Sequence, residues 1–584
     1  MTRARCAWAL ALLLGCASNQ SGVSQDAGAR GDAHDVPTAV DDVPKEDAGP
    51  QAPPLDPLPA HVTAQAGRFM SHDNCALCHA PANGVMRDGA GRDVSPPSLW
   101  RTSMMSMSAR DPYWLAAFEH ELSAAPSAAS ARVERTCLHC HAPAGAIAMD
   151  DVGDAIRFDD ITVNDTPAAR LAREGVTCTV CHQTTADRLG TPESFTGGFT
   201  INEARRIYGP HANPLPTPMQ VHVRYTPTEA SHMTTSALCG TCHTVITRAL
   251  DASGEPTGPE FPEQASYLEW RNSAYRDEGT PGGAPMTCQG CHMPTRDEDG
   301  MEIRTILSNR PGGLRARAPI GRHVFMGANG YMLSMLSAER AWTGTPSTAD
   351  ELSVGAELAD AMLRRGASVR VESPRREGDS LTFAVRVGNT AGHRFPTGYP
   401  SRRAWIHVRV FDAAGMLRFE SGRTDAEGRF ITREGRPLEA RRDVVRPHLR
   451  ELTAEDQVQV YESVMGDADG AVTHLLLRAA RYLKDNRLLP RGWREDHPDA
   501  RFTSAVGVEG DIDFRAGEDL LRVTVPAAGW TPARVEVELL FQSVAPDAAG
   551  AVRHGGPASS RFDEMVRAHP PAPRVVAAAS AAVE

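Results

Sequence analysis

Five copies of one pentapeptide lie between residues 75 and 292 and limit what this chain can fold around. They read Cys75-Ala-Leu-Cys78-His79, Cys137-Leu-His-Cys140-His141, Cys178-Thr-Val-Cys181-His182, Cys239-Gly-Thr-Cys242-His243 and Cys288-Gln-Gly-Cys291-His292. Cys-x-x-Cys-His is the attachment signature of c-type haem. On a turn of helix, residues i and i+3 share a face, so two thiols reach the two vinyl groups of one porphyrin while the adjacent imidazole swings under its iron. Paired cysteines also hold structural zinc or form redox disulfides, but neither use needs a histidine after the second cysteine. The expectation is five c-type haems, tethered by these ten thiols, with His79, His141, His182, His243 and His292 as proximal ligands.

The first sixteen residues join two arginines to a short apolar run ending in Leu13-Leu14-Gly15-Cys16. The run is too brief to span a bilayer and has the form of an export signal. Its end resembles the lipobox of bacterial lipoproteins, in which the cysteine (here Cys16) is acylated and becomes the new N-terminus, anchoring the chain without a spanning segment. Ala17, in place of aspartate, implies by that resemblance the outer membrane, at its periplasmic face or the cell surface. Of 12 cysteines, Cys6 falls in the leader, Cys16 is the lipid site and ten fill the motifs, which leaves none for a disulfide. Residues 17–60 are rich in Ala, Asp, Gly and Pro without hydrophobic periodicity, and read as a disordered acidic tether. From Gln25 to Leu58 eight acidic residues face two basic ones, a charge of −6, half of the chain's −12. The remainder is nearly balanced, and no nucleic-acid partner is expected.

Residues 61–345 read as a loop-rich, mainly helical haem domain, with helical pieces at Pro112 to Leu122, Pro262 to Tyr275 and Gly330 to Trp342. Aromatic residues make up only 6% of the chain, so porphyrins are expected to supply much of the apolar core. Six-coordinate iron needs a distal ligand. The candidates are His120, His222, His232, His323 and His393, with His61, His72, His139 and His211 as further spare imidazoles, each with an alternative as an ordinary hydrogen-bonded histidine. Met104, Met105 and Met107 offer thioethers that could equally be core packing.

The stretches Ser103-Met-Met-Ser-Met-Ser-Ala-Arg-Asp-Pro-Tyr-Trp114, Glu174-Gly-Val-Thr-Cys-Thr-Val-Cys-His182, Phe261-Pro-Glu-Gln-Ala-Ser-Tyr-Leu-Glu-Trp270 and Cys288-Gln-Gly-Cys-His-Met-Pro294 resemble bacterial multihaem c-type cytochromes, broadly of the cytochrome c554 and hydroxylamine oxidoreductase type. The resemblance implies closely packed haems that pass electrons, with one iron left open in some members that act on nitrogen oxyanions or hydroxylamine. This chain lacks the Cys-x-x-Cys-Lys motif of the pentahaem nitrite reductases.

Beyond the haems, Thr348-Ala-Asp-Glu351 has the form of a capping box and opens a connecting helix within residues 346–366. Residues 367–570 then alternate with a period of two, in runs such as Leu381-Thr-Phe-Ala-Val-Arg-Val387 and Ala404-Trp-Ile-His-Val-Arg-Val-Phe411, which favours an antiparallel β-sandwich-like domain. His474 to Pro490 is ambiguous between strand and helix, and residues 571–584 read as a frayed tail. The loop Asn389-Thr-Ala-Gly-His393-Arg-Phe-Pro-Thr-Gly398 follows a strand directly, and His393 is a candidate to cross to a haem or to remain a turn histidine. The fold class expected is α+β, multidomain. The leading functional expectation is electron carriage between redox proteins, other cytochromes or a quinol-linked donor. A nitrite or hydroxylamine oxidoreductase with one open iron is the alternative, and the scattered acids and bases supply no catalytic set.

Overall fold

Alternation in the second half of the chain becomes two facing sheets. Ser380–Asn389 buries every second residue, from Leu381 through Phe383, Val385 and Val387 to Asn389, because successive side chains of a strand point to opposite faces. It pairs antiparallel with Ala367–Glu377 and with Glu518–Pro526, whose outer edge takes the short parallel strand Glu451–Leu452. The opposing antiparallel sheet runs in the order Arg481–Asp485, Val460–Gly466, Arg403–Asp412, Pro532–Gln542 and Arg574–Ala582, with Leu417–Ser421 also on Arg403–Asp412. Phe383 and Val385 of one sheet meet Ile406, Val408, Leu539 and Phe541 of the other in a single apolar core. The computed structural model describes residues 52–439 and 443–584.

The preceding half is built from short helices joined by loops, which makes the whole α+β. Each pentapeptide lies on or at the end of a helix: His72–His79, Ser130–His141, Cys178–Cys181, Ser236–Gly240 and Cys288–His292. The helix Ala349–Leu363 joins the halves and opens on a reciprocal cap, in which Glu351 N donates to Thr348 Oγ1 at 3.1 Å and Thr348 N donates to Glu351 Oε2 at 2.9 Å. No helix among the described residues is long and apolar enough to cross a membrane.

Four boundaries differ from the sequence reading. Residues 52–60 do not behave as tether: Leu55 N donates to Pro557 O at 2.9 Å, Leu58 N to Trp342 O at 2.8 Å, and Leu58 is buried. Two leucines three apart suffice to dock a stretch whose overall composition resembles a linker. Residues 574–582 are not frayed but form the edge strand on Pro532–Gln542, where ladder hydrogen bonds override the weak strand preference of alanine. The helix Pro557–Ala568 leaves the sandwich and packs Phe562, Met565 and Val566 on Tyr113, Leu115 and Phe118 of Pro112–Ala124, so the helical half is completed by the end of the chain. Pro256–Gln264 is a strand, and the helix expected from Pro262 shrinks to Ser266–Arg271. The ambiguous segment resolves into the strand Arg481–Asp485 after a single turn at Leu476–Arg478. The export signal, Cys16 and the tether up to residue 51 lie outside the described residues.

Candidate functional site

In four of the five pentapeptides one imidazole nitrogen is fixed by a backbone carbonyl. Nδ1–H of His79 donates to Leu307 O at 2.7 Å, that of His141 to Ser108 O at 2.9 Å, that of His182 to Tyr208 O at 2.6 Å, and that of His292 to Met326 O. A carbonyl only accepts, so Nδ1 carries the proton and Nε2 keeps its lone pair. Burial disfavours the charged ring and holds all four below the usual histidine value, His141 at about 4. A neutral ring anchored at one nitrogen is the arrangement of a metal-ligating histidine, the anchor fixing orientation and raising basicity. His243 differs, since its ring makes no hydrogen bond among the described residues.

Two of these rings have a parallel partner. His323 lies against His182 with centroids 6.2 Å apart and planes 15° apart, and His393 against His292 at 6.2 Å and 17°. Both partners repeat the anchoring, His323 Nδ1 to Gly321 O and His393 Nδ1 to Arg394 O, each at 2.9 Å. Two imidazoles holding one metal ion between their Nε2 atoms, at about 2 Å each, have centroids roughly 6 Å apart. The chain's residues therefore fit bis-histidine ligation at the third and fifth motifs. The same test separates the other candidates. His120 stacks on His554 at 5.0 Å and 8° and lines a cavity with Tyr113, Glu121, Tyr399 and His474. His232 has Nε2 committed to Thr184 O at 2.9 Å. His222 sits on Pro216–Val223, a helix with no buried residue. His139 binds Asp150 at 2.9 Å. Met107 is buried core and Met104 packs against it, which is the packing alternative for that cluster.

His393 reaches the fifth motif because its loop is held from both halves. Asn389 Nδ2 donates to His393 O at 2.8 Å from the sandwich side. From the helical side, Glu269 Oε2 accepts from Arg394 N at 3.1 Å and from Thr397 Oγ1 at 2.6 Å. The Arg394 guanidinium, fully buried, pairs with Asp485, which Arg487 also grips through two 2.7 Å bonds. Burial alone would raise the Asp485 carboxyl, yet the two arginines hold it below its usual range.

The thiols show which motifs are neighbours. Cys75 couples electrostatically to Cys178, Cys140 to Cys242, and Cys239 to Cys288. Cys181 lies within electrostatic reach of Cys242, as His79 does of His182 and His243 of His292. The motifs thus form a path from first to third to fourth to fifth, with the second joined to the fourth. Leu77 in the first motif is 62% exposed and Gly290 in the fifth is exposed, whereas Thr179, Val180, Gly240 and Thr241 of the third and fourth are buried. The path runs from surface to surface through the interior.

Two other clusters gather imidazoles and carboxylates, and hydrogen bonding commits His448 and His61 in them, while the buried His72, held at Nδ1 by Glu174, keeps an Nε2 with no hydrogen-bond partner among the described residues. His448 Nδ1 accepts from both Gln459 Nε2 at 2.9 Å and Asn486 Nδ2 at 3.0 Å, so its proton sits on Nε2, which donates to Asp511 at 3.1 Å. His61 turns Nε2 to Asp73 at 2.7 Å and Nδ1 to Glu174 at 2.9 Å, an imidazolium bridging two carboxylates with no lone pair to give. The carbonyls of Ser108, Tyr208, Leu307 and Met326 are the site elements sequence reading missed, since any residue could supply them.

No protein-family model matches the chain, and neither does any curated protein. Among solved structures, the chain is similar to a penta-heme cytochrome c552 from Thermochromatium tepidum, with a TM-score of 0.49 and 16% identity over 89% of this chain and 100% of that one.

Proposed function

We propose that the chain is a five-haem c-type cytochrome that carries electrons across its own width. The parallel pairs His182/His323 and His292/His393, anchored through Nδ1 and spaced for one metal ion, carry this reading. Haem held there supplies one-electron chemistry between ferric and ferrous iron. The chain's own part is to tether through ten thiols, to orient and activate ligands through backbone carbonyls, and to keep neighbouring motifs in contact. Lipid attachment at Cys16, an outer-membrane location and exchange with other cytochromes or a quinol-linked donor complete the proposal. Protein matured with its full attachment machinery should weigh five porphyrins more than the polypeptide, and His393→Gly should lose one low-spin signal. Colourless material, or an unchanged spectrum in the variant, would remove the reading. Cys16→Ser should move the protein from the membrane to the soluble fraction.

One observation favours the alternative of an oxidoreductase with an open iron. The cavity lined by Tyr113, His120, Glu121, Tyr399 and His474 adjoins the second motif, where Tyr399 and Cys137 pack in one cluster. No imidazole among the described residues lies parallel to His141 at the 6.2 Å spacing; Trp114 covers its face at 4.3 Å and 7°. A high-spin signal that shifts on adding nitrite or hydroxylamine supports that alternative, and entirely low-spin iron removes it.

A further inference from the structure

From Ile303 to Ala338 the chain carries five arginines, Arg304, Arg310, Arg315, Arg317 and Arg322, and no acidic residue, within a protein of net charge −12. This segment folds directly over the first motif. Asn309 N donates to Cys78 O at 2.8 Å, Leu307 O accepts from His79, and Thr305 pairs with Arg317 across a short hairpin that brings the two ends of the loop together. Arg304, Arg310 and Arg315 are exposed and form no ion pair among the described residues, where the Arg317 side chain bonds only carbonyls, Ala212 O at 2.7 Å and Asn213 O at 3.2 Å. Exposed Glu302, two residues before Arg304, is one carboxylate against these arginines, and Asp297, Glu298 and Asp299 are engaged by Arg92 and Arg322. Beside Cys78, Leu77 presents an apolar side chain to solvent. An exposed apolar centre with a one-signed rim is the form of an encounter surface, and unanswered charge concentrated on one face steers oppositely charged partners to it.

We propose that this face is the docking surface for an acidic electron-carrier protein, with Leu77 at its centre and Arg304, Arg310, Arg315 and Arg317 around it. The first motif is one of the two surface ends of the path described above, and the inference rests on the electron-carrying reading. Against a membrane or nucleic-acid partner stands the position of the patch. It is built around an attachment motif, where an electron carrier gains by close approach and a lipid surface gains nothing.

The test uses the fully loaded, reduced protein and two small oxidants of opposite charge, ferricyanide and tris(phenanthroline)cobalt(III). Each takes one electron from the protein, giving ferrocyanide or the cobalt(II) complex. Ferricyanide oxidation should slow as salt is raised, and Arg310→Glu with Arg315→Glu should slow it about tenfold at low ionic strength while speeding the cobalt reaction. Both substitutions lie in exposed loop positions, so the variant should keep its haem content and melting temperature; Arg310→Gln with Arg315→Gln serves if it does not. Equal ferricyanide rates in wild type and variant would overturn the inference. So would lost haem or shifted potentials in both variants, which would mean that the arginines serve the haem carboxylates. Anionic vesicles that retain the wild type but not the variant, with salt-insensitive oxidation, would overturn it in favour of a lipid surface. Failure of the underlying reading looks different: the protein would then lack five haems or fail to exchange electrons with either oxidant.

Discussion

The sandwich and the five motifs of this molecule treat their buried polar groups in opposite ways. In the sandwich, buried charges answer one another: Arg394 and Arg487 share Asp485, Lys484 holds Glu462 at 2.9 Å, and His448 donates to Asp511. At the motifs of the helical half, the buried imidazoles of His79, His141, His182 and His292 are fixed at one nitrogen and left with a lone pair at the other. One half is closed by its own side chains. On the proposed function, the other is arranged around a partner that is not protein.

Removing that partner should give the largest effect. Replacing all ten motif cysteines by alanine should leave the helical half without its apolar filling, and fast amide exchange is expected across residues 72–292. The strands Ser380–Asn389 and Glu518–Pro526, paired over nine residues, should remain protected. Equal exchange in both halves would show that they fold as one unit and that the contrast is false. Next in size is Asp485→Ala, which removes the carboxylate shared by two buried guanidiniums and leaves Arg394 with the Thr503 carbonyl and Arg487 with Glu269 at 3.5 Å. Breaking a buried pair in this way costs about 3–5 kcal/mol. Because Arg394 follows His393, the variant should also weaken the low-spin signal of the fifth motif, so that damage in the closed half is read in the open one. A lowered melting temperature with an intact signal would mean that Glu269 holds the loop unaided. Leu58→Ala should cost about 2–5 kcal/mol by opening a cavity between residues 52–60 and Trp342, without altering any haem signal.

The strands of the sandwich were more legible in the sequence than the chain's boundaries were. Strict alternation over Leu381 to Val387 reveals a half-buried strand, and cysteine and histidine spacing carries the proposed haem attachment, because both depend on neighbours along the chain. Docking of Leu55 and Leu58, return of the helix Pro557–Ala568 to Pro112–Ala124, and pairing of the alanine-rich strand Arg574–Ala582 depend on partners hundreds of residues away or on backbone bonds that no side chain announces. The distal candidates divide in the same way. His323 and His393 gain their positions from Gly321, Arg394 and Glu269, a context that spacing to the nearest cysteine does not contain, whereas His232, favoured by its short distance to Cys239, has its Nε2 engaged elsewhere.

The smallest expected effect sets the halves apart by pH. Burial alone would lower the His61 imidazole, but hydrogen bonds to Asp73 and Glu174 overcome it and raise the ring from 6.5 to about 9, while Glu174 is held below its usual range by His61 and His72. A group whose folded value is raised contributes fully below its unfolded value, so the His61 contribution is complete below pH 6.5 and is lost as pH rises through about 9. Glu174 works in the other sense, contributing above its ordinary 4.5 and losing ground as acid protonates it. The network should therefore be strongest between about pH 4.5 and 6.5 and decline above that, by on the order of 2 kcal/mol once partial solvent access at His61 is allowed for. Exchange of the His72 amide, which donates to Glu174 Oε2 at 3.0 Å, reports on it directly. That amide should open more readily at pH 9 than at pH 6 in the wild type, after correction for intrinsic exchange. In His61→Gln the difference should shrink to what His72, also raised by its bond to Glu174, contributes, while amides of Ser380–Asn389 stay indifferent to pH in both proteins. A pH response at both places would mean that protonation at His61 is transmitted through the joining helix, and the two halves would then be one cooperative body despite their different interiors.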